Sequence, residues 1–178
     1  MKRIIPFILA LAMLLGCAHA QGGLTEFAAY DISTAVVTEE NVKMDVVNQD
    51  IFADYDLTMI NVWATWCVYC VKEMPELAKL KDMLPENVNV ITICTDAASE
   101  FALALDILEE TGAKNIPTLA PSEEMIDFLT SVAAFPTTYF VDSEGNFVGS
   151  PIMGVPSMDN AAVAYASIAE EVLASLED

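Results

Sequence analysis

Residues 58–64 (TMINVWA) form a mostly apolar, β-prone run, and just beyond it Cys67 and Cys70 open a stretch with a different period. An apolar run of this length without strict alternation is the pattern of a strand buried on both faces. After it, Val71, Met74, Leu77, Leu80 and Leu84 recur at helical spacing, so residues 67–84 read as a helix. Pro75 lies inside that helix, where its missing N–H and its ring should bend it about one turn after Cys70. A buried strand that feeds straight into a helix, with two cysteines at the joint, confines the chain to α/β architectures that carry a dithiol at one end of the sheet.

The joint decides what the cysteines can do. Unpaired N–H groups and the helix dipole favour an anion at a helix N-terminus, so Cys67 should ionise more readily than a free thiol. Cys70 lies one turn deeper and should be better shielded. On this reading Cys67 attacks a partner disulfide, and Cys70 resolves the mixed disulfide by closing Cys67–Cys70. A structural zinc site needs four ligands. The single histidine is His19, near the N-terminus, and Cys94 falls within another apolar, strand-like run, so no metal and no cofactor is expected. Cys94 reads as a small buried hydrophobe.

The remaining pattern is strand, helix, strand, helix, then a hairpin and a closing helix. Residues 34–38 and 42–47 are β-like and flank Glu39-Glu40-Asn41, which suggests an N-terminal hairpin. Residues 88–95 (VNVITICT) read as a second buried strand, and residues 99–111 as a helix with Ser99 as N-cap and Gly112 as its stop. Residues 116–119 suggest a short strand and 122–131 a third helix. Residues 137–141 (TTYFV) and 147–150 should pair around Asp142-Ser143-Glu144-Gly145, and residues 157–176 should close the fold as a helix. Right-handed crossovers between parallel strands then give an α/β domain. Its central mixed sheet is flanked by helices and carries an N-terminal β-hairpin extension.

The N-terminus reads as an export signal. Lys2 and Arg3 precede an apolar run over residues 4–15, which is too short to span a bilayer. Two processing readings stay open: cleavage after Ala18-His19-Ala20, or a lipobox Leu14-Leu15-Gly16-Cys17 that would leave Cys17 as a lipid-modified first residue. Both place the domain outside the cytoplasmic membrane, periplasmic, secreted or lipid-anchored, where a disulfide can persist. The division is a leader at 1–20, a tether at 21–29 and one domain at 30–178. With 27 acidic against 7 basic residues the net charge is −20, which repels phosphate backbones and excludes a nucleic-acid partner.

Two segments carry a family resemblance. Residues 61–77 (NVWATWCVYCVKEMPEL) and 135–145 (FPTTYFVDSEG) resemble the active-site and second signatures of the exported thioredoxin-like TlpA/ResA group. The resemblance implies a thioredoxin-like fold and thiol–disulfide oxidoreductase activity. It implies that Pro136 is a cis-proline beside the dithiol, with Trp66, Phe135 and Thr137 forming the surface that meets substrate. It further implies that Glu73 handles protons near the cysteines, since Asn61 stands where cytosolic thioredoxins carry a buried Asp and cannot take one up. Trp63 is expected in the core and Trp66 at the surface, while Pro117 is expected to be an ordinary loop proline. The partners so implied are exported proteins with disulfides and a membrane electron donor, with membrane contact only through a lipid anchor. The uncharged Val68 and Tyr69 give nothing to lower the Cys67 pKa far, which favours a reductant. A peptide-binding module and a disulfide-forming oxidant remain alternatives. A copper carrier would need a downstream His and a peroxidase a PxxxTxxC setting, and neither is present.

Overall fold

Seven strands and four helices position the dithiol in the computed structural model, which describes residues 22–176. The strands are β1 (Ala28–Val37), β2 (Val42–Asn48), β3 (Leu57–Trp63), β4 (Val88–Cys94), β5 (Thr118–Ala120), β6 (Thr137–Val141) and β7 (Ile152–Met153). The helices are α1 (Val68–Leu80), α2 (Phe101–Thr111), α3 (Ile126–Thr130) and α4 (Ala161–Ala174). One sheet runs in the order β2-β1-β5-β4-β3-β6-β7. β3 pairs in parallel with β4, and β4 with β5, while the other contacts are antiparallel. This is the expected mixed sheet with an N-terminal hairpin.

β3 lies near the middle of the sheet and buries every one of its residues, the polar Thr58 and Asn61 included, as a strand covered on both faces should. One face packs Trp63, Met74, Leu77, Leu80 and Tyr165 with α1 and α4. The other packs Ile60, Val62, Ile91, Ile93 and Val141 under Phe52 and Met125. Within β3, odd and even positions thus go to opposite layers.

Several expectations need correction. The stretch read as a tether at 21–29 is instead packed wherever it is described. Leu24, Phe27 and Ala29 are buried, the rings of Phe27 and Phe52 lie 5.8 Å apart, and Leu24 N donates to Gly145 O at 2.8 Å. Gly145 has φ +81°, and a Cβ there would stand 2.6 Å from Leu24 O, so this turn needs glycine for two reasons. The folded unit therefore includes residues 22–29 as well as the domain drawn from 30. α2 begins at Phe101, and its N-cap is Glu100 rather than Ser99, whose hydroxyl instead donates to Asp96 O at 3.1 Å. Gly112 ends it in the left-handed region at φ 73°, as expected. The partner of β6 is displaced from 147–150 to Ile152–Met153; only an isolated bridge joins Val141 to Phe147. The helix expected at 122–131 splits into a 3-10 turn and the short α3, and the closing helix starts only at Ala161. The leader, Cys17 and the Ala20 cleavage point lie outside the described residues.

Candidate functional site: a disulfide at the head of a helix

Cys67 is the N-cap of α1, with extended backbone, and its Sγ accepts from Cys70 N at 3.2 Å. The two sulfurs are bonded at 2.04 Å, with Cα atoms 5.2 Å apart. Cys67 retains 6% exposure and Cys70 none, so a partner sulfur can approach only the first. Any thiolate formed at Cys67 would face the unpaired N–H groups of the first turn, which stabilise it.

The loop ahead of the cysteines is fixed from below. Asp96, just past β4, accepts from Thr65 N at 3.0 Å and from Thr65 Oγ1 at 2.6 Å. Burial works against the Asp96 charge, but the Thr65 hydrogen bonds outweigh it and hold this carboxyl below its ordinary value. Cys94 Sγ also donates to Asp96, at 3.3 Å. Burial, and then the neighbouring carboxylate, push the Cys94 thiol far up, so it stays protonated and inert. Trp63 is fully buried and its Nε1 donates to Thr92 Oγ1 at 3.1 Å.

Of the residues that the sequence assigns to substrate contact, Trp66 and Phe135 are brought together. Phe135–Pro136 is the one cis peptide bond among the described residues, and Pro117 is therefore trans. Trp66 is 68% exposed and stands edge-on to Phe135, with ring centroids 5.6 Å apart. Pro136 and Thr137 are buried; Pro136 O accepts from Gly154 N at 2.8 Å, and Thr137 Oγ1 donates to Ala134 O at 2.8 Å. Val68, Tyr69 and Met153 are exposed as well and add apolar surface on this side, while Trp66 also borders a cleft lined by Thr65, Asp96 and Leu103.

Glu73 is more deeply buried than a helix-surface position would be, at 2% exposure. Its Oε1 accepts from Asn61 Nδ2 at 2.9 Å and its Oε2 from the Tyr165 hydroxyl at 3.2 Å. Burial dominates these two stabilising bonds and raises its pKa from the ordinary 4.5 to about 7. A carboxyl poised there can give or take a proton at neutral pH. Thr138 and Tyr165 join this site without any local signal in the sequence, one inside a strand and the other on an apolar helix face. No cluster of metal-ligating side chains occurs among the described residues.

Comparison with known proteins agrees with this geometry. Residues 29–149 match the AhpC/TSA family. Thioredoxin-like protein YneN of Bacillus subtilis is 29% identical over 87 residues, covering 49% of this chain and 51% of that protein. Thiol-disulfide oxidoreductase ResA of the same organism is 26% identical over 90 residues, covering 50% and 49%. The chain thus spans about half the length of the curated relatives it matches. A thiol:disulfide interchange protein of Chlorobium tepidum superposes with a TM-score of 0.65 at 15% identity, over 85% of this chain and 95% of that one. The exposed lipoprotein thioredoxin of Streptococcus pneumoniae does so at 0.59 and 17%, over 80% and 98%. At such identities the likeness is one of fold, and the fold is thioredoxin-like.

Proposed function

The chain belongs to the AhpC/TSA family, and from that premise we propose that it is a thiol–disulfide oxidoreductase that works outside the cytoplasmic membrane and reduces disulfides of exported proteins. One observation carries the reading: a disulfide at a helix N-terminus joins a reachable sulfur to an enclosed one, and Trp66 next to Cys67 touches Phe135 of the cis Phe135–Pro136 bond. The family name also covers peroxide chemistry, but this chain lacks a PxxxTxxC nucleophile, and its paired cysteines suit exchange instead.

The chemistry balances without a cofactor. In the reduced form the Cys67 thiolate attacks one sulfur of a partner disulfide, making a mixed disulfide and expelling the partner's other sulfur as thiolate. Cys70 then loses its proton to a base and attacks Cys67 Sγ. The Cys67–Cys70 bond forms, the second partner thiolate leaves, and both partner sulfurs take up protons. Two electrons pass from the dithiol to the partner, and a second dithiol, that of a membrane electron donor, must return them. Trp66 and Phe135 form the docking rim, with Thr137 buried behind it. The peptide group at Phe135, which makes no backbone hydrogen bond among the described residues, is open to pair with an extended partner. Glu73 is the proton acceptor one turn behind Cys70. The leader supports the compartment, with Cys17 as the point of lipid attachment in the anchored form. No described helix is long and apolar enough to cross a membrane.

Trapping tests this reading. A Cys70→Ala variant should accumulate mixed disulfides through Cys67 that mass spectrometry can identify, and a Cys67→Ala variant should trap none. Equal trapping by both variants, or by neither, would overturn the proposed roles.

A further inference from the structure

Four side chains from four elements close a buried ring of hydrogen bonds behind the dithiol. Asn61 on β3 gives one Nδ2 hydrogen to Glu73 Oε1 at 2.9 Å and the other to Thr138 Oγ1 at 3.1 Å. Thr138 on β6 donates to the Tyr165 oxygen at 3.2 Å, and Tyr165 on α4 donates to Glu73 Oε2 at 3.2 Å. All four residues are buried. Every polar hydrogen of the ring is thereby directed, straight or by relay, at the carboxylate. With Glu73 ionised these donors serve both carboxylate oxygens, and within the ring only Asn61 Oδ1 is left without a partner among the described residues. When Glu73 takes up a proton, Oε2 and the Tyr165 hydroxyl become two donors facing each other, and one bond must reverse or break.

We propose that Tyr165 is a positioning residue of the dithiol site: its hydroxyl, set by Thr138, holds the Glu73 carboxylate and fixes when that group accepts the proton of Cys70. This rests on the functional reading above for its role in exchange, but not for the coupling itself. Nothing else charged stands in the ring. On α1 the titrating neighbours are Cys70 and Cys67, while Lys72 is exposed and Glu76 is engaged with Lys79. The flanking strands offer the neutral Asn61 and Thr138, and Glu170 and Glu171 of α4 face solvent. The Tyr165 proton itself does not leave, because burial and then the charge of Glu73 drive its pKa upward.

The test follows the Glu73 carboxyl directly, by carbon NMR of side-chain-labelled glutamate across pH 4 to 10 in the oxidised protein, with Glu73→Gln to assign the signal. Tyr165→Phe keeps the ring in place and removes one donor to the carboxylate. It should move the Glu73 midpoint upward by about one pH unit, since a hydrogen bond to a charged group contributes on that scale. Thr138→Val, which removes the relay to Tyr165 and the acceptor of the second Asn61 hydrogen but leaves both direct donors to the carboxylate in place, should move it up by less. The pH midpoint of thiol–disulfide exchange should shift by the same amount as the carboxyl. An unmoved or lowered midpoint in both variants overturns the inference even where exchange proceeds. Should Tyr165→Phe not fold, Thr138→Val decides by the same criterion. A shifted carboxyl in a protein that exchanges no thiols would instead retain the coupling and discard the functional reading.

Discussion

β3 and β2 are the same length and live in opposite environments: the first buries all seven of its residues and the second buries none. β3 has a ladder on each side, to β4 and β6, and a packed layer on each face. β2 has one ladder, to β1, and leaves Val42 and Val46 in water, with Lys43 between them on the open edge. A surface cleft lined by Tyr30, Thr34 and Lys43 follows this hairpin and contains none of the dithiol residues. The contrast teaches where chemistry can be placed. Two sulfurs and a buried carboxyl need positions fixed from several directions, and only the β3–α1–β6 region supplies them. β2 buries no residue of its own and pairs only with β1, and a charged side chain on its edge discourages chance pairing.

The largest expected difference between the regions is in stability. Trp63→Ala at the end of β3 removes a fully buried ring and the donor to Thr92, and should cost about 3–5 kcal/mol by denaturant unfolding. A loss below about 1 kcal/mol would show that β3 is not the rigid base described. Next comes the pH dependence. The folded protein keeps the Glu73 proton up to about pH 7, while the unfolded chain releases it near 4.5. Stability should therefore fall as pH rises from 4.5 and level off above 7, with about 3 kcal/mol lost across that window. Glu73→Gln should remove this slope when the two proteins are unfolded side by side. A matching slope in both would assign it to other groups. The smallest effect belongs to the hairpin, where Val46→Ala should stay within about 0.5 kcal/mol of the parent.

The same contrast explains what could be read from the sequence. β3, β4, the face of α1 and the Cys67/Cys70 joint were legible because local periodicity and a short spacing fix them. Pro136 was legible through a family signature. The partner of β6 was misplaced by a few residues because a glycine-rich stretch holds no alternation to count. The packed residues 22–29 were hidden because Leu24 and Phe27 find their partners at Gly145 and Phe52, far along the chain. Tyr165 was hidden for a like reason: its bond to Glu73 spans 92 residues, and a tyrosine on an apolar helix face looks like packing alone.

The reduction potential of the Cys67–Cys70 pair, measured by equilibration with glutathione at pH 7 followed by acid quenching, tests the account most directly. Val68 and Tyr69 bring no positive charge to the thiolate, and the carboxylate of Glu73 one turn behind opposes it, so the disulfide should be the stable form. The expected value is about −270 to −200 mV, the range of thioredoxin-like reductants. A value near about −120 mV, that of a strong oxidant, would contradict it.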